Sequence, residues 1–234
     1  MTTAADLAAR EAALRAAFDV VDSEVMVAGE TIHLLRPARA DLLISEEDFA
    51  RDERLPYWAD IWPSSTALAT HVRGLHGAGR QYLELGCGLG LACAAAAAAG
   101  FTVTASDYYD DALRFTEFNV LRHAGVLPAT RNLDWRDLPD DLPRYDVVVA
   151  SDVLYERPYA ELVADVLART LAPEGEAWVA DPGRIAVGLF LDECARRGLQ
   201  MERAVTVPFE EGEIRQTITL HHFWLPPRPG APPR

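Results

Sequence analysis

Leu83-Glu84-Leu85-Gly86-Cys87-Gly88-Leu89-Gly90 is the stretch that decides the fold. It follows a short apolar run, Gln81 to Leu85, and opens an alanine-rich run ending near Ala99. The first reads as a strand and the second as a helix. Glycines at 86, 88 and 90 allow a tight turn and let a ligand approach bare backbone. A dinucleotide site has its third glycine three positions after the second, so that pyrophosphate meets the helix terminus. Here the third glycine comes two positions after the second, and Glu84 stands just ahead of the first. A carboxylate there repels a pyrophosphate and suits a ligand carrying an ammonium group. The plainer reading is a strand-to-helix turn that holds nothing.

Beyond this turn the chain alternates regularly. Phe101 to Ser106 reads as a strand, Asp110 to Ala124 as a helix and Ala129 to Leu133 as a strand. Tyr145 to Ala150 is a strand followed by a helix from Pro158 to Thr170, and Glu176 to Ala180 a strand followed by a helix to Arg197. Such alternation predicts an α/β fold, a doubly wound and mostly parallel sheet with helices on both faces. The runs Met201 to Val207 and Arg215 to Trp224 have no helix between them, so they are expected as an antiparallel hairpin added to that sheet. Ahead of the glycine turn, Ala4 to Phe18 reads as a helix and Glu24 to Arg36 as a hairpin about Ala28-Gly29. Ala40 to Arg54 reads as an acidic linker or short helix. Ser64 or Ser65 is expected to cap a helix running to His76. The expected division is an N-terminal extension over 1–54, one domain over 55–225 and a disordered proline-rich tail over 226–234.

Ligands of such sheets bind at the carboxyl ends of the strands, and this chain places an acid at each. Asp107 ends the second strand, 21 residues after Gly86, where it can accept both hydroxyls of a ribose. Asn132-Leu133-Asp134-Trp135 follows the third, with an acid for an adenine amino group and a ring to flank the base. Ala150-Ser151-Asp152-Val153-Leu154-Tyr155 follows the fourth: Asp152 can hold an amine that Tyr155 steadies by cation–π attraction. Asp181-Pro182-Gly183-Arg184 follows the fifth. Each has a plainer reading, as a helix cap, a turn or core packing. A fold needs turns at these places, but not a carboxylate at every one.

Composition narrows the function classes. The 234 residues carry 36 acids against 22 bases, a formal charge of −14. Such a surface repels phosphate backbones and anionic lipid, so neither nucleic acid nor a membrane is expected as partner. Every base is arginine, which rules out a lysine nucleophile or Schiff base. Three scattered cysteines form neither a disulfide framework nor a zinc cluster, and a reducing, cytoplasmic setting is the simplest expectation. The six histidines show no metal spacing, so no metal is expected.

From Gln81 to Ala180 the chain resembles the class I, seven-strand methyltransferases that use S-adenosylmethionine. Pro56-Tyr57-Trp58-Ala59-Asp60-Ile61-Trp62-Pro63, Asp152-Val153-Leu154-Tyr155 and Ala180-Asp181-Pro182-Gly183-Arg184 are similar to the methyltransferase-16-like protein lysine methyltransferases. Within that family they are most similar to the branch acting on the electron transfer flavoprotein β subunit, although Ser64-Ser65 replaces a glycine pair of the animal members and Tyr155 another aromatic. The resemblance implies strand order 3-2-1-4-5-7-6 with strand 7 antiparallel. It implies cofactor contacts at Trp62, Glu84, Gly86, Cys87, Gly88, Asp107, Tyr108, Asp134, Trp135 and Ser151, with Asp152 and Tyr155 orienting the acceptor. Burial against Trp58 and Tyr155 would lower the acceptor's pKa. It implies a protein substrate with an accessible lysine. A small-molecule N- or O-methyltransferase and a non-catalytic scaffold remain the alternatives.

Overall fold

The computed structural model describes residues 4–43 and 55–227. The expected acidic linker from residue 44 onward and the tail from residue 228 lie outside the described residues. The N-terminal helix α1 (Ala4–Ala17) leads into a hairpin of β1 (Val20–Val27) and β2 (Glu30–Pro37), which begins earlier than the sequence reading placed it. Ala40–Leu43 and Tyr57–Ala59 are single 3-10 turns. Then come α2 (Pro63–Arg73), β3 (Gln81–Leu85), α3 (Leu91–Ala98), β4 (Thr102–Asp107), α4 (Asp110–Ala124), β5 (Ala129–Asn132) and β6 (Tyr145–Ser151). The last elements are α5 (Arg157–Thr170), β7 (Leu171–Asp181), α6 (Val187–Arg196), β8 (Gln200–Glu211) and β9 (Ile214–Trp224).

Seven strands form one sheet in the order β5-β4-β3-β6-β7-β9-β8, with β9 antiparallel to both β7 and β8. Counted from β3 as the first strand, this is the order 3-2-1-4-5-7-6 that the resemblance implies. The chain leaves β3 toward β4 and β5, then returns to the other side of β3 as β6. The cleft therefore opens where the winding reverses, past the carboxyl ends of β3 and β6.

Alternation along the strands builds two cores. Tyr82 faces the layer of α2, α3, α4 and the N-terminal hairpin, while Leu83 and Leu85 face α5 and α6. In α3 the run Ala92–Ala96 is buried on every side. Side chains this small let the helix lie between its neighbours at close range, and a larger residue there overpacks. Asn119 on α4 is fully buried and joins three separate segments. Its Oδ1 accepts the Leu35 N–H at 2.8 Å, and its Nδ2 donates to the carbonyls of Leu35 at 3.0 Å and Leu89 at 2.9 Å.

One local expectation is corrected. Neither Ser64 nor Ser65 caps α2, which starts at Pro63 and stops at Arg73, short of His76. Trp62 occupies the cap position without a side-chain cap bond, and proline supplies the first helical φ. Ser65 Oγ instead donates to the Trp62 carbonyl at 2.7 Å.

Candidate functional site

The glycine turn is held from three sides. The Cys87 N–H donates to the Ser106 carbonyl at 2.9 Å, and the Gly88 N–H donates to Asp107 Oδ2 at 2.9 Å. Thr116 Oγ1 donates to the Gly88 carbonyl at 2.9 Å. Gly88 has φ +53°, and a Cβ on it would lie 3.0 Å from the Trp58 carbonyl oxygen. The close approach that demands glycine there is thus made by the protein's own backbone. A Cβ on Gly86 would lie 3.3 Å from Val153 Cγ1 and 3.6 Å from the Trp135 ring, so bare backbone at 86 keeps the space between these side chains open.

Around this turn lies a cleft of about 300 Å³, the lower end of the usual range for small-ligand sites. Gly86, Cys87, Gly88 and Asp107 line its floor, and Asp134 and Trp135 one wall. Ser151, Asp152, Tyr155 and Trp62 also line the cleft. Glu84 and Tyr108 are not among the lining residues. Glu84 is 1% exposed behind the turn, and the Tyr108 ring lies 5.8 Å beneath the Arg136 guanidinium. Its neighbour Tyr109 lines the cleft instead.

The acids at the strand ends have different surroundings. Burial pushes the Glu84 carboxyl up to about 8, against hydrogen bonds from the Cys93 thiol and backbone and with a small push from Asp107. Its Oε2 has no hydrogen-bond partner among the described residues. Asp107 accepts the Gly88 N–H on one oxygen and the Tyr109 N–H, at 3.1 Å, on the other. Asp134 is clasped by the Arg136 guanidinium at 2.8 Å, so a ligand amino group would share this carboxylate with arginine. Asp152 sits in a left-handed conformation, φ +55°, with its N–H donating to the Ala180 carbonyl at 2.9 Å. Its carboxylate is 7% exposed and accepts Arg184 Nε at 2.7 Å. Asp181 is fully buried and takes the Gly183 and Arg184 N–H groups on Oδ1, both at 2.7 Å.

Aromatic rings rim the opening. Trp62 meets Tyr57 at 5.9 Å, Tyr57 meets Tyr155 at 5.5 Å, and Tyr155 meets Tyr159 at 4.6 Å. Trp135 closes the row 5.9 Å from Tyr159. Trp62 Nε1 donates to the Tyr57 carbonyl at 2.8 Å, which fixes the ring. Trp58 lines the cleft but packs its ring on Phe115 and Tyr109. The ring beside Tyr155 is therefore Tyr57, not Trp58. Cys87 is buried and its thiol is pushed well above its usual range by burial, so it fills the turn and is no nucleophile. Arg184, Tyr57 and Tyr159 were missed as site residues, although Tyr57 and Arg184 fall inside the quoted motifs.

The residues fit a nucleotide that bears an amino acid. The Glu84 carboxylate oxygen, which has no partner among the described residues, matches an ammonium, the cleft-lining Asp107 carboxylate suits a hydroxyl donor, and the open backbone at Gly86 provides room for the ligand.

The comparisons agree with this geometry. A family model described as lysine methyltransferase (Methyltransf_16) matches residues 52–184, more than half of the chain. The chain is 29% identical over 175 residues to the electron transfer flavoprotein beta subunit lysine methyltransferase of Danio rerio, covering 72% of this chain and 65% of that protein. It is 29% identical over 118 residues to the protein-lysine methyltransferase METTL21E of Mus musculus, covering 45% and 48%. The chain thus spans under two thirds of these relatives' lengths. Among solved structures, N-methyltransferase NodS from Bradyrhizobium japonicum WM9, in complex with S-adenosyl-l-homocysteine, matches with TM-score 0.55 and 16% identity over 77% of this chain and 97% of that one. A TehB-like SAM-dependent methyltransferase from Corynebacterium glutamicum matches with TM-score 0.55 and 17% identity over 76% and 93%. These two show the fold alone. Because the family match takes in more than half of the chain, including the Pro56–Pro63 motif, the glycine turn and the Asp152–Tyr155 motif, this chain belongs to the lysine methyltransferase family.

Proposed function

We propose that this protein is an S-adenosylmethionine-dependent N-methyltransferase acting on a lysine side chain of a protein, with the electron transfer flavoprotein β subunit as the first substrate to test. The observation that carries this reading is the position of Asp152 and Tyr155 on the wall of the cleft whose floor is the glycine turn. Glu84 would bind the ammonium of the methionine part and Asp107 the ribose. Trp135 and Asp134 would border the adenine, Trp62 the methionine side, and Gly86, Cys87, Gly88 and Ser151 would approach through backbone or small side chains. Tyr108 would act through Arg136, which its ring supports.

When bound, S-adenosylmethionine supplies a methyl on a sulfonium, and its displacement by an amine leaves a neutral thioether. The protein's own work is positioning and electrostatics. Tyr57 and Tyr155 exclude water from the amine, and Asp152 accepts one of its N–H bonds so that the lone pair faces the methyl. A lysine near pKa 10.4 reacts only after losing its proton, which it gives up to solvent before entering the site.

Among the described residues no helix is long and apolar enough to cross a membrane, and the three cysteines are free and buried. Unpaired thiols suit a reducing compartment, and the cytoplasm is the compartment proposed. The test is incubation with tritiated cofactor and lysate of a host strain lacking this protein, followed by separation of protein from small molecules. Label in the protein fraction, absent with Gly86→Arg, is the expected result. Label confined to small molecules would replace this reading with a small-molecule methyltransferase.

A further inference from the structure

Arg184 stands where the proposed reaction has an electrostatic conflict. The cleft is lined by Asp60, Asp107, Asp134, Asp152 and Glu156, with Arg136 and Arg184 as the lining cations. Acids attract a protonated lysine, but an ammonium has no lone pair to attack with. A lone carboxylate against the amine would raise the amine's pKa and hold it in its unreactive form. Arg136 is spent on Asp134, whereas Arg184 is bound to Asp152 itself, Nε to Oδ1 at 2.7 Å. Asp152 Oδ2 accepts no hydrogen bond from the described residues, and the residue lines the cleft. Both partners are fixed from below. Asp181 Oδ1 takes the N–H groups of Gly183 and Arg184, and the Ala180 carbonyl takes that of Asp152.

We infer that Arg184 is a positioning residue that neutralises Asp152 while leaving its second oxygen open, so that the site takes the acceptor amine in its uncharged form. This rests on the methyltransferase reading above. Arginine suits the task because it stays charged across the working pH range and cannot exchange its proton with the substrate. The other groups acting on the pair are Asp181 from β7 and Tyr57 from the 3-10 turn, while Tyr155 and Glu156, from the segment after β6, line the same cleft. His221 on β9 lies beside Asp181 and is held below its usual range by burial. Asp181 adds negative charge beside the pair, so Arg184 is the cation that balances the acceptor side.

The experiment measures initial rates against pH, from 6.5 to 10, at saturating tritiated cofactor with the protein fraction of the lysate. Wild type, Arg184→Gln, Arg184→Lys and Arg184→Ala are compared. Arg184 is 37% exposed at its side chain, so its loss leaves the core intact. With Arg184→Gln the acid limb of kcat moves up by about 1–2 pH units, a loss of about 10- to 100-fold below the limb, and the rate recovers at high pH. KM falls at the same time, because the bare carboxylate captures the protonated amine. Arg184→Lys keeps the limb of the wild type, and added guanidinium returns the limb of Arg184→Ala toward it. Calorimetric cofactor affinity is unchanged in all three variants. A loss of equal size at every pH, or an unshifted limb with wild-type rates, overturns the inference and leaves the methyltransferase reading standing. No label from the wild type at any pH overturns that reading and the inference with it.

Discussion

Replacing Glu84 by glutamine is expected to stabilise the unliganded protein and abolish its cofactor binding. The folded protein holds the Glu84 proton up to about pH 8, whereas the ordinary value is 4.5. A carboxyl whose folded pKa is raised binds protons more tightly in the native state. Its contribution to stability therefore declines as pH rises from 4.5 to 8 and is level above that window. Each pH unit inside the window removes about 1.4 kcal/mol, so ionising the unfolded chain costs the native state about 3 kcal/mol at pH 7 and under about 1 kcal/mol at pH 5. Glutamine has the shape of the protonated acid and carries no proton to lose. Urea denaturation of both proteins at pH 5, 6, 7 and 8, without cofactor, gives the difference directly. The advantage of Glu84→Gln is expected to be small at pH 5 and to grow by about 2–3 kcal/mol by pH 7. A pH-independent difference, or a variant less stable than wild type at pH 7, would refute the reasoning. The same buried acid predicts that cofactor affinity rises about tenfold per pH unit below 8 and that binding releases close to one proton at pH 7. Calorimetry in buffers of different ionisation enthalpy reads that proton.

Other outcomes follow from the same geometry. Gly88→Ala forces a Cβ to 3.0 Å from the Trp58 carbonyl at φ +53°; a loss of about 1–2 kcal/mol is expected, seen as a melting temperature lower by roughly 2–8 °C. Asp152→Asn removes the charge that pairs with Arg184 and misplaces the acceptor. Turnover on the labelled protein fraction is expected to fall about 100-fold while cofactor affinity by calorimetry stays the same, and full turnover would remove Asp152 from the mechanism. Asn119→Ala leaves one buried N–H and two carbonyls without their partner. A loss of about 3 kcal/mol or more is expected in denaturant unfolding, and a loss under about 1 kcal/mol would show that the bonds are replaced by water.

The α/β class and most element limits could be read from the chain, because parallel strands buried on both faces are plain apolar runs separated by helical ones; the strand order was implied only by the family resemblance. Asp107, Asp134 and Asp152 were legible for the same reason: each is the first acid after such a run. The ion pair of Asp152 with Arg184 was not, since it joins the ends of β6 and β7 across 32 residues and depends on how two turns meet. Nor was the row of Tyr57, Tyr155 and Tyr159, which forms only when the 3-10 turn folds over the mouth. Tyr108 and Tyr109 are adjacent in one turn, and nothing local states which of the two faces the cleft. The start of α2 had a usable signal, Pro63, that outranked the two serines.

Asn119 has a consequence for how the polypeptide can be cut. One amide ties Leu35, in the N-terminal hairpin, to Leu89, in the loop at the mouth of β3. The leading segment therefore behaves as a clamp on the nucleotide end of the molecule, and trimming it at residue 54 would release a strut rather than a tail. A fragment starting at Leu55 is accordingly expected to lose ligand affinity before it loses its helical circular dichroism.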